Sequence, residues 1–145
     1  MIWLLRHGDA ESHAADDAAR RLTARGRDEA AAAGRALVAL DLRLSGCLTS
    51  PKSRATETAE IACSFLGLEP ERDERLQGGD FDPSKLAADR GDILLVGHEP
   101  DFSRAIQAKT GTRVKLSKGS LAAIDGGTLF ALLQSTQLQR LVSTD

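Results

Sequence analysis

Ile93-Leu94-Leu95-Val96-Gly97-His98 is an unbroken apolar run that delivers a histidine, and the chain opens on its counterpart, Ile2-Trp3-Leu4-Leu5-Arg6-His7. Neither run alternates apolar with polar residues. Residues 1–5 and 92–96 therefore read as strands buried on two faces, the mark of a parallel sheet covered by helices. A loop of residues 8–21 follows the first strand. Thr23 caps a helix that runs to about Leu40 through Glu29-Ala30-Ala31-Ala32-Ala33, with Gly34 as its weak point. Residues 44–49 read as a second strand. Ser50-Pro51 then gives an N-cap and a proline at the first position of a helix that stops at Gly67. Residues 69–76 read as a short edge strand, 77–83 as a loop and 84–90 as one or two helical turns. Another helix begins at Pro100, with Phe102, Ala105 and Ile106 on its apolar face. Residues 121–124 and 128–133 flank Asp125-Gly126-Gly127 as a β-hairpin. This order predicts an α/β fold: a mostly parallel sheet flanked by helices on both faces, with an antiparallel C-terminal hairpin.

A length of 145 residues fits a single domain spanning 1–145. Net charge −2 gives no global attraction to nucleic acid or to an anionic membrane, and 3% aromatic residues argue against a base-stacking surface. The N-terminal apolar run is too short for a signal peptide or a membrane span, and no later stretch is long enough, so the expected location is cytoplasmic. Cys47 and Cys63 form no CxxC pair and read as small buried hydrophobes in a reducing compartment.

Two histidines and two arginines fall where strands end, which is where ligands bind in an open α/β sheet. His7 and Arg6 follow the first strand, Arg54 lies just inside the helix after the second, and His98 ends the strand at 92–96. Arginine forks suit phosphoryl oxygens without titrating near neutral pH. A neutral imidazole can attack phosphorus, and nearby cations disfavour its protonation. A second histidine can donate a hydrogen bond to a phosphoryl oxygen. With charge supplied by side chains, no metal or other cofactor is needed. His7, His98 and Asp9 would make a poor metal site beside two arginines, His13 has no partner at ligand spacing, and Gly78-Gly79 belongs to no phosphate-binding fingerprint.

The residues resemble the histidine phosphatase (phosphoglycerate mutase-like) superfamily, and within it the small SixA-type phosphohistidine phosphatases. The resemblance rests on ordered blocks: Leu5-Arg6-His7-Gly8-Asp9-Ala10-Glu11, residues 20–26, residues 50–59, Val96-Gly97-His98-Glu99-Pro100-Asp101-Phe102-Ser103, and residues 116–122. Together they span nearly the whole chain. The resemblance implies that His7 is the nucleophile and that Arg6, Arg54 and His98 form the phosphate pocket; it offers Arg20 as an arginine that reaches the phosphoryl group, against the equal reading of a solvated loop arginine. Lys118 is a candidate for the rim, against the simpler reading of a surface lysine. No clear match exists for the general acid that protonates a leaving group. Asp80, Asp82 and Asp9 are the candidates, each with a competing role as a turn former or loop charge. The implied activity is metal-independent hydrolysis of phosphohistidine on a partner protein, such as a phosphotransfer domain, through a phosphohistidine intermediate on His7. Two alternatives stay open: a phosphatase of a small phosphate ester or nucleotide, and an inactive phosphate- or phosphoprotein-binding module.

Overall fold

The computed structural model describes residues 1–143. Strands β1 (Ile2–Arg6), β2 (Gly46–Thr49), β3 (Pro70–Arg72), β4 (Ile93–Gly97), β5 (Leu121–Asp125) and β6 (Thr128–Leu133) form one sheet in the order β3-β2-β4-β1-β5-β6. The first four are parallel; β5 is antiparallel to β1, and β6 to β5. Helices α1 (Ala24–Ala39), α2 (Ser53–Leu66), α3 (Pro83–Ala87), α4 (Asp101–Thr110) and α5 (Ser135–Val142) cover it.

The period-2 geometry of strands sorts each apolar run onto two faces. Trp3, Leu5, Leu94 and Val96 meet α1, α2 and α5, while Leu4, Ile93 and Leu95 meet α3 and α4. A central strand with both faces buried has no use for alternation, which is why these runs are continuously apolar. Cys47 and Cys63 are buried free thiols on the first of these faces. The Cys63 contact and burial push the Cys47 thiol above its usual range.

Gly34 is more than a weak point in α1. A Cβ there would lie 2.8 Å from the Phe65 ring and 2.9 Å from the Ala62 backbone, so its absence lets α1 and α2 approach closely. Three local expectations are corrected. Helix α2 is capped by Lys52 and starts at Ser53, so Ser50 is not its N-cap. The stretch read as a loop, 8–21, holds a 3-10 turn, Asp17–Ala19, and an isolated bridge from Ala10 to Leu22. The chain also ends its described part in α5, which the sequence reading did not anticipate. Among the described residues no helix is long and apolar enough to cross a membrane.

Candidate active site

Register places the two histidines side by side. Strands β1 and β4 are parallel and pair Arg6 with Gly97, so the next residue of each strand is a histidine. The His7 N–H donates to the Gly97 carbonyl at 3.0 Å, and the two imidazole centroids lie 5.2 Å apart. The helices leaving β1 and β4, α1 and α4, pack on opposite faces of the sheet. This is the topological switch point at which open α/β sheets bind ligands.

The His7 ring is buried, and its Nδ1 lies 2.7 Å from the Gly8 carbonyl. A carbonyl only accepts, so Nδ1 carries the proton and Nε2 keeps its lone pair. Burial, with Arg54, Arg6 and Lys118 nearby, lowers the His7 pKa to about 4 against the opposing Gly8 bond. Burial together with His7, Arg54 and Lys52 lowers that of His98 to about 3. Both rings are therefore neutral at physiological pH. His98 Nε2 pairs with Ser50 Oγ at 2.8 Å, and that hydroxyl also accepts the Lys52 N–H at 3.2 Å. The hydroxyl expected to cap a helix thus orients a histidine.

The cations converge on the same cleft, about 390 Å³ in volume, whose lining includes Arg6, Arg20, Lys52, Arg54 and Lys118 beside both histidines. Arg6 Nη1 donates to the Leu116 carbonyl at 2.8 Å, and its Nε is buried with no partner among the described residues. Arg54, from the first turn of α2, donates through Nη1 to the Asp17 carbonyl at 3.0 Å and through Nη2 to its Oδ2 at 3.3 Å. Arg20 Nη1 reaches Asp17 Oδ1 at 3.2 Å, and Lys52 Nζ lies 3.9 Å from Oδ2. One carboxylate thus gathers three cations, and these contacts, the Arg20 bond first, hold its pKa below the ordinary carboxylate range.

Of the sequence-predicted residues, His7, Arg6, Arg54, His98 and Arg20 come together. Lys118 joins them at the rim, donating to Asp9 Oδ1 at 3.0 Å. The acid candidates do not. Asp9 is engaged by Lys118 and by the Thr23 hydroxyl, 2.8 Å from its Oδ2. Asp82 caps α3 and pairs with Lys109 at 2.7 Å. Asp80 is exposed and lines, with Phe81 and Lys85, a neighbouring hollow that shares Gln77 and Gly78 with the cleft. Among the described residues, no three His, Cys, Asp or Glu side chains are grouped to hold a metal ion.

Residues 2–87 match the family model of the histidine phosphatase superfamily, branch 1. The chain belongs to the histidine phosphatase superfamily. It is 32% identical over 140 residues to an uncharacterized protein of Picosynechococcus sp. (strain ATCC 27264 / PCC 7002 / PR-6), over 87% of this chain and 85% of the relative. Among solved structures, the protein histidine phosphatase SixA complexed with tungstate matches at TM-score 0.83 and 24% identity, over 94% of this chain and 98% of that one. The alpha-ribazole phosphatase from Shigella flexneri matches at 0.70 and 19%, over 92% and 96%. A mycobacterial glucosyl-3-phosphoglycerate phosphatase matches at 0.64 and 18%, over 83% and 88%. These likenesses are of fold; membership of the superfamily places the chain among phosphatases.

In this superfamily member the supporting residues escaped the sequence reading. Asp17 is one. Thr58 is another: its Oγ1 accepts the Gly8 N–H at 3.1 Å and donates to the Arg54 carbonyl at 2.7 Å, tying the loop of the first histidine to the helix of the second arginine. Glu29, buried in α1, accepts the Asp9 N–H at 2.8 Å. Asp101 and Glu99 line the cleft as well.

Proposed function

We propose that the protein is a metal-independent phosphohistidine phosphatase that works through a phosphoryl group held covalently on His7. The observation that carries this reading is a neutral His7 with Nε2 unencumbered, set in a cleft lined by Arg6, Arg20, Lys52, Arg54 and His98. Phosphoryl transfer requires charge on three equatorial oxygens to be held while nucleophile and leaving group lie in line. Two guanidinium forks, Arg6 and Arg54, hold those oxygens, and the unpartnered Arg6 Nε is a donor that an anion would satisfy. His98 donates to a phosphoryl oxygen, and Arg20 reaches the group from the Asp17 turn. Nε2 of His7 bonds to phosphorus as the bond to the leaving nitrogen breaks. Water then displaces His7 and releases phosphate.

The substrate assignment is supported by the connection from β3 to β4, which holds only a 3-10 turn and the five-residue α3. A cleft without an inserted cover admits a phosphohistidine on the surface of a partner, such as a phosphotransfer domain.

The deciding experiment measures phosphate release from a phosphohistidine protein and from a panel of phosphomonoesters and nucleotides, with EDTA, for wild type and His7→Ala. Release from phosphohistidine that requires His7 and survives EDTA is the expected result. Preference for a small ester would overturn the substrate, and full activity of His7→Ala would overturn the mechanism. Binding without phosphate release in a single turnover would favour the inactive module instead.

A further inference from the structure

Departure of the leaving group calls for a proton; Asp9 and Asp82 are held by lysines, and Asp80 is exposed in the adjoining hollow. The cleft has three carboxylates of its own at hand. Asp17 is bonded to Arg20 and Arg54, which keep it ionised and so unable to donate. Glu99 has both oxygens engaged, Oε1 by the Ser103 N–H at 2.7 Å and Oε2 by the Leu116 N–H at 3.3 Å. Asp101 differs from both. It is 9% exposed, lines the cleft with His7 and His98, and stands three residues after His98 at the start of α4.

We propose that Asp101 is the catalytic acid that protonates the leaving group. The assignment rests on the reading of His7 as nucleophile. As the His7 Nε2–phosphorus bond forms and the bond from phosphorus to the substrate imidazole breaks, the Asp101 proton passes to the substrate ring nitrogen not bonded to phosphorus. The imidazole leaves neutral with the electron pair of the broken bond, and Asp101 is left as carboxylate. In the second step the carboxylate takes a proton from the attacking water as the phosphorus–Nε2 bond breaks. Inorganic phosphate leaves, His7 regains its lone pair, and Asp101 is again the acid. For an ester the same proton goes to the bridging oxygen.

The surroundings suit the role. Burial first, and then Asp80, raise the Asp101 pKa, while the Gly79 N–H, Arg104 and Lys52 oppose the shift. A carboxyl that keeps its proton closer to neutral pH is the better general acid.

The test compares Asp101→Asn and Glu99→Gln with wild type on phenyl phosphate and 2,4-dinitrophenyl phosphate, with a phosphohistidine protein at pH 8 as third substrate. Dinitrophenolate leaves without a proton; phenolate does not leave readily without one. Asp101→Asn is expected to lose about 100-fold in kcat/KM on phenyl phosphate and phosphohistidine, and about tenfold or less on the dinitrophenyl ester. Equal loss on both esters, or a graded loss that appears with Glu99→Gln instead, would overturn the assignment. Should the Asn variant not fold, Asp101→Ser, suited to the first turn of a helix, repeats the comparison. Wild type that rejects phosphohistidine but cleaves phenyl phosphate overturns the substrate reading alone, and the ester pair still decides Asp101.

Discussion

His7 and His98 stand with ring centroids 5.2 Å apart and planes tilted by 59°, both buried and both near the Arg54 guanidinium. A proton on either ring would face the other ring and the arginine with little water to screen it, so the fold holds the pair neutral.

That neutrality makes stability depend on pH. The rings ionise near 6.5 in the unfolded chain but at about 4 (His7) and about 3 (His98) in the folded one. Below about 6.5 the unfolded chain binds more protons, so stability falls with pH and keeps falling until the folded pKa values are passed. Most carboxylate titration lies below about pH 5, so the histidine contribution is read between pH 6.5 and 5. Urea midpoints of wild type should drop over that window and those of His98→Gln should drop less. Parallel curves would remove His98 from the account.

Gly34→Ala sets two effects against each other. Helix propensity favours alanine by about 1 kcal/mol. The new methyl would meet Ala62 Cα and carbonyl at 2.9 Å, and backbone cannot swing aside as a side chain can. Overpacking of this kind costs about 1–3 kcal/mol, so destabilisation should win. Thermal unfolding followed by circular dichroism decides it: a raised Tm would show that the α1–α2 contact can relax.

The strands and the four central site residues were legible because both are local signals. A doubly buried strand writes itself as an apolar run, and Arg6, His7 and His98 sit on the ends of such runs. Supporting residues are set by long-range contacts. Asp17 is 37 residues from Arg54 and, in the chain, is one acid of a polar stretch. Ser50 before Pro51 carries the local pattern of a helix cap, yet its hydroxyl serves a histidine 48 residues away. Helix α5 went unseen because its N-cap is Gln134 rather than one of the usual short side chains, and Leu138 is its one buried leucine. Asp101 did leave a signal: an acid three positions after a site histidine, at a helix start, shares its end of the sheet.

Asp17 bonds Arg54 and Arg20, two of the cations that the proposed function assigns to the phosphoryl group. Removing its charge while keeping its shape should therefore help an anion compete. Asp17→Asn is expected to bind inorganic phosphate several-fold more tightly, read as a lower inhibition constant at fixed ionic strength. Asp17→Ala removes the support as well, and kcat should fall about tenfold as Arg54 and Arg20 lose their orientation. Unchanged phosphate inhibition in both variants would mean that the forks are available regardless of Asp17.

Thr58 tests whether the loop of His7 needs its tether. Its hydroxyl is buried and is the acceptor for the Gly8 N–H, whose neighbouring carbonyl in turn holds His7 Nδ1. Thr58→Val keeps the volume but leaves that N–H without a partner, a loss of about 1–3 kcal/mol. If the loop shifts to find another acceptor, Nε2 of His7 moves with it, and kcat should fall more than KM rises, because alignment with phosphorus matters most in the transition state. Thr58→Ser retains the hydroxyl and gives up only a methyl, so it should recover most of kcat despite a small cavity. Equal kcat in the two variants at matched stability would remove the Thr58 hydroxyl from the alignment of His7.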